Sequence, residues 1–525
     1  MSWWHDEAIY QIYPRSFQDT TKDGVGDLEG IRERLPYLKD LGVGAIWLSP
    51  IFPSPMKDFG YDVADYTGID PLFGDMAAFD RLLTEAHEHG LKLLLDFVPN
   101  HSSDQHPWFQ EARKDKDNPK RDWYIWRDPG EGGGPPNNWV SNFGGPAWTL
   151  DEATGQYYHH AFLSSQPDLN WRNPELRAAM FDALRFWLGK GVDGFRVDVI
   201  WHLIKDDQFR DNPENPFVRD GAPEIDRLLQ VHSADQPEVH DVIAEMRAVI
   251  DEYEDRLLIG EIYLPLERLM AYYGQDGRGV HLPFNFQLIS APWRAESLSK
   301  LIDEYEAALP DGGWPNWVLS NHDQPRIAAR IGEAQARVAA MLLLTLRGTP
   351  TLYYGDEIGI GRVSIPTDRI QDPWAKQEPD ASFNRDKART PMQWDEGPHA
   401  GFTKAEPWLP QTDDAATRNV AVQREERGSM LSMTKALLAL RRDEGCLRTG
   451  DYQRLPAEGP VLAYARGHGS LGVFLNLSDE ACETPLPEAY RGGALLLSTV
   501  GGAAVSDGPT LALRANEGVV IRRRG

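Results

Sequence analysis

Cysteine is nearly missing: the 525 residues contain two, Cys446 and Cys482, both late in the chain and in no metal-type spacing. That pattern gives no disulfide framework and no thiolate zinc site, and two unpaired core thiols are expected. Positive charge is scarce as well, with 54 Lys and Arg against 80 Asp and Glu, a net charge of -26 and a pI near 5.0. A nucleic acid or an anionic membrane would need a basic face that this balance does not supply, whereas a neutral or cationic partner is allowed. No apolar run reaches the length of a membrane span, and residues 1–7 have neither a basic n-region nor an apolar h-region, so a cytoplasmic protein is expected. Hydrophobic residues at 41% and aromatics at 10% nevertheless suffice for one large core and a second, smaller one.

What the chain does have is one unit used many times. Asn173-Pro174-Glu175 reads as a helix start: a capping side chain, proline in the first turn and an acid beside the positive end of the dipole. Leu176, Met180, Leu184, Trp187 and Leu188 then recur at helical spacing, and Gly189-Lys190-Gly191 stops the helix before the apolar run 194–200. Within that run Arg196 and Asp198 stand two apart, which on a strand sends both to one face. Burying a charge pair is costly, and a chain that does so usually has a use for it.

The same helix, glycine and strand junction precedes 43–48 and 91–98. With strands expected at 8–17, 194–200, 256–263, 280–289, 317–320 and 348–354, there are eight, most of them separated by helices. Alternation of this kind implies an α/β fold with a parallel sheet, and eight units close into a (β/α)8 TIM barrel whose active site lies at the C-terminal strand ends. An open doubly wound sheet is the competing topology, but no glycine-rich phosphate turn follows the first strand.

Two segments break the rhythm. Residues 102–170 are too long for a loop and rich in Trp, Gly, Pro and Asn, so they are expected to form a subdomain inserted after strand 3. Trp108, Trp123, Trp126, Trp139 and Trp148 either wall a sugar-sized pocket or, for the larger share, make the insert's own core. From 446 to 525 alternating runs between Gly and Pro turns read as an antiparallel β-sandwich domain, leaving 1–101 and 171–445 to the barrel.

Asp198, Glu261 and Asp323 come from three strand ends that a barrel brings to one mouth, with His101, Arg196 and His322 beside them. Any lone carboxylate is usually a cap or a solvated side chain; three that converge are harder to dismiss. Glycosidic cleavage asks for such a set, because one group must protonate the leaving oxygen while another attacks or shields the cationic carbon. A metal site from the same residues is weaker, since Arg196 would repel a cation and no His spacing resembles a zinc helix.

Four stretches then carry a resemblance. Asp96-Phe97-Val98-Pro99-Asn100-His101, Gly194-Phe195-Arg196-Val197-Asp198, Gly260-Glu261 and Ser320-Asn321-His322-Asp323 occur in the order of the four motifs of the α-amylase superfamily, glycoside hydrolase family thirteen. Within it the chain resembles the exo-acting α-glucosidase and oligo-1,6-glucosidase branch over nearly its whole length. The resemblance implies that Asp198 is the nucleophile, Glu261 the general acid/base and Asp323 the transition-state stabiliser. His101 and His322 would hold hydroxyls of the glucosyl ring, and Arg196 would orient and support Asp198. Asp62 and Arg389 look like the pair that closes the glucosyl subsite in exo-acting relatives, and Val199 looks like the position where valine accompanies α-1,6 and alanine or threonine α-1,4 linkages.

The acidic loop with Asp19, Thr21, Asp23, the Val25 carbonyl and Asp27 alternates like an oxygen-ligand loop in which relatives bind Ca2+ or Mg2+, although Thr21 stands where they usually place Asn. An ion there would be structural, and the chemistry itself is expected to need no cofactor. The implied partner is a small oligosaccharide or disaccharide, cut by a retaining exo-α-glucosidase, with sucrose, trehalose and glucosyl transfer within the same chemistry. A sucrose isomerase or trehalose synthase is the alternative, although 285–293 lacks the Arg- and Asp-rich run of sucrose isomerases. A non-catalytic relative, like the heavy subunits of amino-acid transporters, would show a membrane helix and degenerate carboxylates, and neither is present.

Overall fold

In the computed structural model, residues 2–219, 221–378, 384–502 and 507–524 are described. Their frame is a ring of short strands that are apolar on both sides, as strands must be when one side fills a barrel and the other meets helices. In chain order β1 is Ile9–Ile12, β2 Ala45–Leu48 and β3 Lys92–Phe97; β4 Trp126–Arg127, β5 Trp148–Asp151 and β6 Gln156–His159 belong to the insert. The ring resumes with β7 Gly194–Val197, β8 Leu257–Gly260, β9 Leu282–Pro283, β10 Asn316–Val318 and β11 Thr349–Tyr353. Its eight strands run parallel in the order β10-β11-β1-β2-β3-β7-β8-β9. A parallel bridge from Asn285 to Trp317 closes the barrel between its two ends.

The helix signals act as expected. Asp27, Asp75 and Asn173 cap the helices that follow them, each carboxylate or amide oxygen accepting a backbone N–H. Gly42 (φ 99°) and Gly191 (φ 104°) end helices in the left-handed conformation that glycine adopts without steric cost.

Three boundaries differ from the expectation. The first strand stops at Ile12 because Pro14 opens a 3-10 turn, Pro14–Ser16. The expected strand over 280–289 is only Leu282–Pro283: Pro283 has no N–H to donate, and the Asn285 side chain accepts from the Gln287 N–H and starts the helical turn Gln287–Ser290. A short helix, Gly445–Thr449, extends past 446, so the C-terminal β domain begins with β12 Tyr452–Arg454. It continues with β13 Val461–Arg466, β14 Leu471–Asn476, β15 Cys482–Pro485, β16 Ala494–Ser498, β17 Thr510–Leu513 and β18 Gly518–Arg522, as a five-stranded sheet with a two-stranded one. Both cysteines are free and half-buried.

The insert is built around its own aromatics. Trp123, Trp126, Trp139 and Trp148 are buried, and Trp108 packs against Tyr66 and Trp123. It is fastened to the barrel by a fully buried ion pair. Lys205 Nζ lies 2.5 Å from Asp168 Oδ2 and donates to Asn100 Oδ1 at 2.7 Å, so that the end of the insert, the end of β3 and the loop after β7 share one cation.

Candidate active site

Everything at the C-terminal mouth refers to Arg196. Its strand can lie against β8 only because residue 194 is glycine: a Cβ there would sit 2.1 Å from the Leu257 carbonyl oxygen. The fully buried guanidinium places Nη1 2.8 Å from Asp96 Oδ1 and 2.8 Å from Asp198 Oδ1, and Nη2 2.6 Å from Glu261 Oε2. Asp96 Oδ2 also accepts from Tyr61 O–H at 3.0 Å and Trp47 Nε1–H at 3.2 Å. Glu261 Oε2 accepts the Val199 N–H at 2.9 Å. That donor comes from a residue at φ 36°, ψ 46°, left-handed backbone that β-branched side chains rarely adopt. Val199 is therefore not a strand residue but a turn behind Asp198 that aims its amide at Glu261.

His101 and His322 are buried and neutral, each pushed down to about 4 by burial. Gln11 Nε2–H meets His322 Nδ1 at 2.8 Å, which leaves the ring proton on Nε2, 3.1 Å from Asp323 Oδ2 and 2.7 Å from Tyr61 Oη. Tyr61 stacks parallel on His322 at 5.2 Å. Burial opposes ionisation of Asp323, but His322, Arg385 and Arg389 together hold its carboxyl well below the usual range.

Asp62 and Arg389 do not meet. Asp62 is turned into its own loop, where it accepts from Ser54 Oγ (2.8 Å), Lys57 N–H (2.9 Å) and Asp58 N–H (3.0 Å). Arg389 lies behind the mouth, donating to the His322 carbonyl (2.9 Å) and to Asp323 Oδ1 (2.8 Å). The ion pair at the cavity wall is Arg385 with Asp58, Nη2 to Oδ1 2.8 Å, and Arg385 also reaches Asp372 (2.8 Å) and Asp323 (3.3 Å). Asp58 precedes Asp62 by four residues and Arg385 precedes Arg389 by four, so the sequence offers two equally spaced pairs and no way to choose between them. Asp96 and Tyr61, both inside stretches singled out by the sequence, were missed as members of the site.

These groups line a cavity of about 650 Å³. Asp58, Tyr61, His101, Phe162, Asp323 and Arg385 line it together with Asp198 and Glu261. None of the insert's five tryptophans noted above lines it, but Phe143 and Phe162 from the insert do, with Trp374 stacked on Phe143 at 5.4 Å.

One guanidinium faces three carboxylates, and it does not neutralise them. Burial pushes Asp198 well above the usual carboxylate range, Arg196 opposes this, and the negative Glu261 and Asp96 add to it. Burial also raises Glu261 against the pull of Arg196, and Asp323 adds to the rise. Asp198 and Glu261 are held to the two ends of the same guanidinium, Nη1 at 2.8 Å from one and Nη2 at 2.6 Å from the other. Arg196 does sit beside Asp198, but its cation is shared with Asp96 and Glu261.

The acidic loop turns its oxygens inward. Asp19 accepts from Thr21 Oγ1, the Lys22 and Gly24 N–H groups and Thr403 Oγ1; Asp27 accepts from Thr20, Thr21 and Gly30. Among the described residues no group of three or more His, Cys, Asp or Glu side chains is placed to hold a metal ion. As arranged, these residues do not fit a cation cage, and no step below runs through a metal.

Residues 11–450 match the family model described as alpha amylase, catalytic domain. A probable alpha-glucosidase of Rhizobium meliloti is 41% identical, covering 92% of this chain and 91% of its own length. An oligo-1,6-glucosidase of Parageobacillus thermoglucosidasius is 39% identical, covering 94% of each. Among solved structures, an alpha-glucosyl transfer enzyme, XgtA, superposes with a TM-score of 0.94 at 40% identity and full coverage of both chains. The trehalulose synthase MutB gives 0.92 at 34%, covering 99% of this chain and 100% of that one.

The shared cation makes the site costly to the resting fold. A carboxyl whose folded pKa is raised binds more protons folded than unfolded between its ordinary and its raised value, so stability falls as pH rises through that window. Asp198→Asn should therefore unfold at a higher temperature than the parent at pH 8, and the gain should vanish near pH 4, where both states are protonated. A lower Tm at pH 8 in calorimetry would show instead that the Asp198 charge stabilises the fold.

Proposed function

The chain belongs to the α-amylase family, and on that premise we propose a retaining, exo-acting α-glucosidase that releases glucose from the non-reducing ends of short α-glucosides. The observation that carries the reading is the Asp58–Arg385 ion pair in the wall of the cavity that Asp198 and Glu261 also line. On this reading the pair closes the cavity round one terminal sugar and leaves no room for a continuing chain.

In this reading Glu261 protonates the glycosidic oxygen while Asp198 attacks C1, and water later releases the glucosyl unit with Glu261 acting as base. Arg196 holds the attacking oxygen in line. Asp323, kept ionised by His322 and two arginines, faces the positive charge that develops on the ring. His101 and His322, being neutral, offer hydrogen bonds to hydroxyls without repelling that charge. Retaining pairs stand about 5–5.5 Å apart and inverting pairs about 6.5–9.5 Å with a water between; the hold of one guanidinium on both Asp198 (2.8 Å) and Glu261 (2.6 Å) supports the former. Glucosyl transfer is the same path with a sugar replacing water, which the likeness to XgtA and MutB supports. The acidic loop enters only as structure, Asp27 capping the first helix and Asp19 joining the loop to Thr403. Two free cysteines support a cytoplasmic setting, and among the described residues no helix is long and apolar enough to cross a membrane.

The deciding experiment follows products from maltose, isomaltose, sucrose and trehalose by proton NMR. α-Glucose should appear first, isomaltose should be among the substrates, and free glucose should exceed rearranged disaccharide. Initial β-glucose would sink retention, and isomerised sucrose as the main product would favour the transferase reading.

The acid sets the basic limb of the pH profile. Glu261 must be protonated at bond breaking, so activity should fall as pH rises through its raised pKa. Glu261→Gln should lose that limb on nitrophenyl α-glucoside, whose leaving group needs little protonation; an unchanged limb would assign the acid elsewhere.

Arg385→Ala should cut kcat/KM for maltose about ten- to hundredfold, the worth of a hydrogen bond to a charged group, and should open a path to maltodextrins blocked at the non-reducing end. Parental maltose kinetics in Arg385→Ala would remove the closed pocket from the argument.

A further inference from the structure

His322 has two ring nitrogens, and one of them faces the carboxylates. Nε2 lies 3.1 Å from Asp323 Oδ2 and 2.7 Å from Tyr61 Oη. Nδ1 points the other way, toward β1, where the Gln11 amide nitrogen stands 2.8 Å from it. Gln11 is fully buried, lies in register with Trp47 of β2 and Tyr353 of β11, and does not line the cavity. Its Nε2 also reaches Ser49 Oγ at 3.3 Å, and among the described residues its Oε1 has no partner. A histidine flanked by an ionised carboxylate is drawn toward a second proton, and an acceptor at its other nitrogen would hold that proton there. Around His322 burial opposes the charge, Asp323 favours it, and Arg389 and Arg196 oppose it. The groups packed on the ring are aromatic: Tyr61 stacks at 5.2 Å, Tyr13 at 5.9 Å, and Trp47 meets it edge-on at 6.2 Å. Asp96 connects to it through the Tyr61 hydroxyl. Nδ1 is thus the place for a second proton, and Gln11 fills it with an N–H.

We propose, resting on the α-glucosidase reading, that Gln11 is a positioning residue: its amide donates into the Nδ1 lone pair, keeps His322 from taking a second proton, and so leaves Asp323 its full negative charge for the cationic sugar ring. The hydrogen bonds then run in one direction. Gln11 N–H donates to Nδ1, Nε2–H donates to Asp323 and Tyr61, and Tyr61 O–H donates to Asp96, the partner of Arg196. An imidazolium in the same place would offset the charge of Asp323 and repel the charge that develops at C1.

The test uses two variants of the full chain. Gln11→Glu keeps the shape and replaces the donor with an anionic acceptor, whereas Gln11→Met keeps the length and offers neither. The ring nitrogens are read by 15N NMR with labelled histidine, His322 being assigned by the signals that His322→Asn removes. At about pH 6 the parental ring should carry one proton, on Nε2. In Gln11→Glu it should take up the second about one to three pH units higher than in the parent. Where that ring is charged, kcat for maltose should fall about ten- to hundredfold, with the loss deepening as pH falls. KM should change far less, because Asp323 faces a charge present only as the bond breaks. Gln11→Met should leave the ring neutral and cost less than Gln11→Glu. A merely structural glutamine would give the reverse order, since glutamate matches it more closely in shape and polarity. A proton on Nδ1 in the parent, a Gln11→Glu ring that stays neutral over the parental range, or a Gln11→Met loss as large as that of Gln11→Glu would overturn the inference. If Gln11→Glu fails to fold, the parental ring and the Gln11→Met kinetics, which should stay within about tenfold of the parent, decide it. The failures are separable: a parent that cleaves maltose but shows any of these results removes only the role of Gln11, whereas a parent that cleaves no glucoside removes the α-glucosidase reading.

Discussion

A single guanidinium shared among three buried carboxylates is the constraint around which the molecule is arranged. Arg196 meets Asp96, Asp198 and Glu261 at 2.6–2.8 Å with no water-exposed surface of its own. Full pairing would have made the trio inert, and an absent cation would have protonated all of it. One charge among three leaves a proton and a negative charge in play, which is what an acid and a nucleophile on adjacent strands need. The fold bears the cost of that frustration, and the eight-stranded frame is rigid enough to hold it.

Positioning is then a matter of which loops are fixed and which are free. The insert contributes Asn142, Phe143 and Phe162 to the cavity wall, and the Lys205–Asp168 pair ties its far end to β3 and to the loop after β7. Removing one partner of a buried pair typically costs about 3–5 kcal/mol, because the other charge stays behind unpaired. Such a fastening explains how a segment with no barrel strands can hold Phe143 and Phe162 at the mouth. Beyond Lys205 the loop after β7 is held to the insert by hydrogen bonds, among them Asn138 N–H to Asp211 (2.9 Å) and Trp139 Nε1–H to the Arg210 carbonyl (2.9 Å), and its Phe217, Val218, Leu229 and Val231 face solvent.

Much of this was legible in the sequence where local signals agree with the global fold. Helix caps, glycine stops and apolar strands located all eight barrel strands, because each signal acts within a few residues. Strand β9 was drawn too long, since its apolar run hides a proline that cannot pair and an asparagine that begins a turn. The carboxylates were legible because three strand ends announce them. The pocket-closing pair was not: two Asp–Arg combinations share one spacing, and only the packing of the loops shows that Asp62 bonds to its own backbone while Asp58 faces Arg385. The sharing of Arg196 among three carboxylates was not legible for a related reason, because charge sharing is a property of distances and not of composition.

Val199 joins these strands of argument. Read as sequence it is a β-branched residue following an apolar run, and nothing marks it as other than the end of a strand. In the fold it stands at φ 36°, a conformation that costs of order 1–3 kcal/mol for a non-glycine residue. The neighbouring contacts show what that conformation accomplishes: the amide points at Glu261 Oε2 while the isopropyl group lines the cavity beside Asp198. A glycine would relieve the backbone and lose the wall; a residue confined to the strand region would keep the wall and lose the amide. On the reading proposed above, the turn couples the proton donor's placement to the shape of the space beside it, so one residue bears on both and not two independent ones.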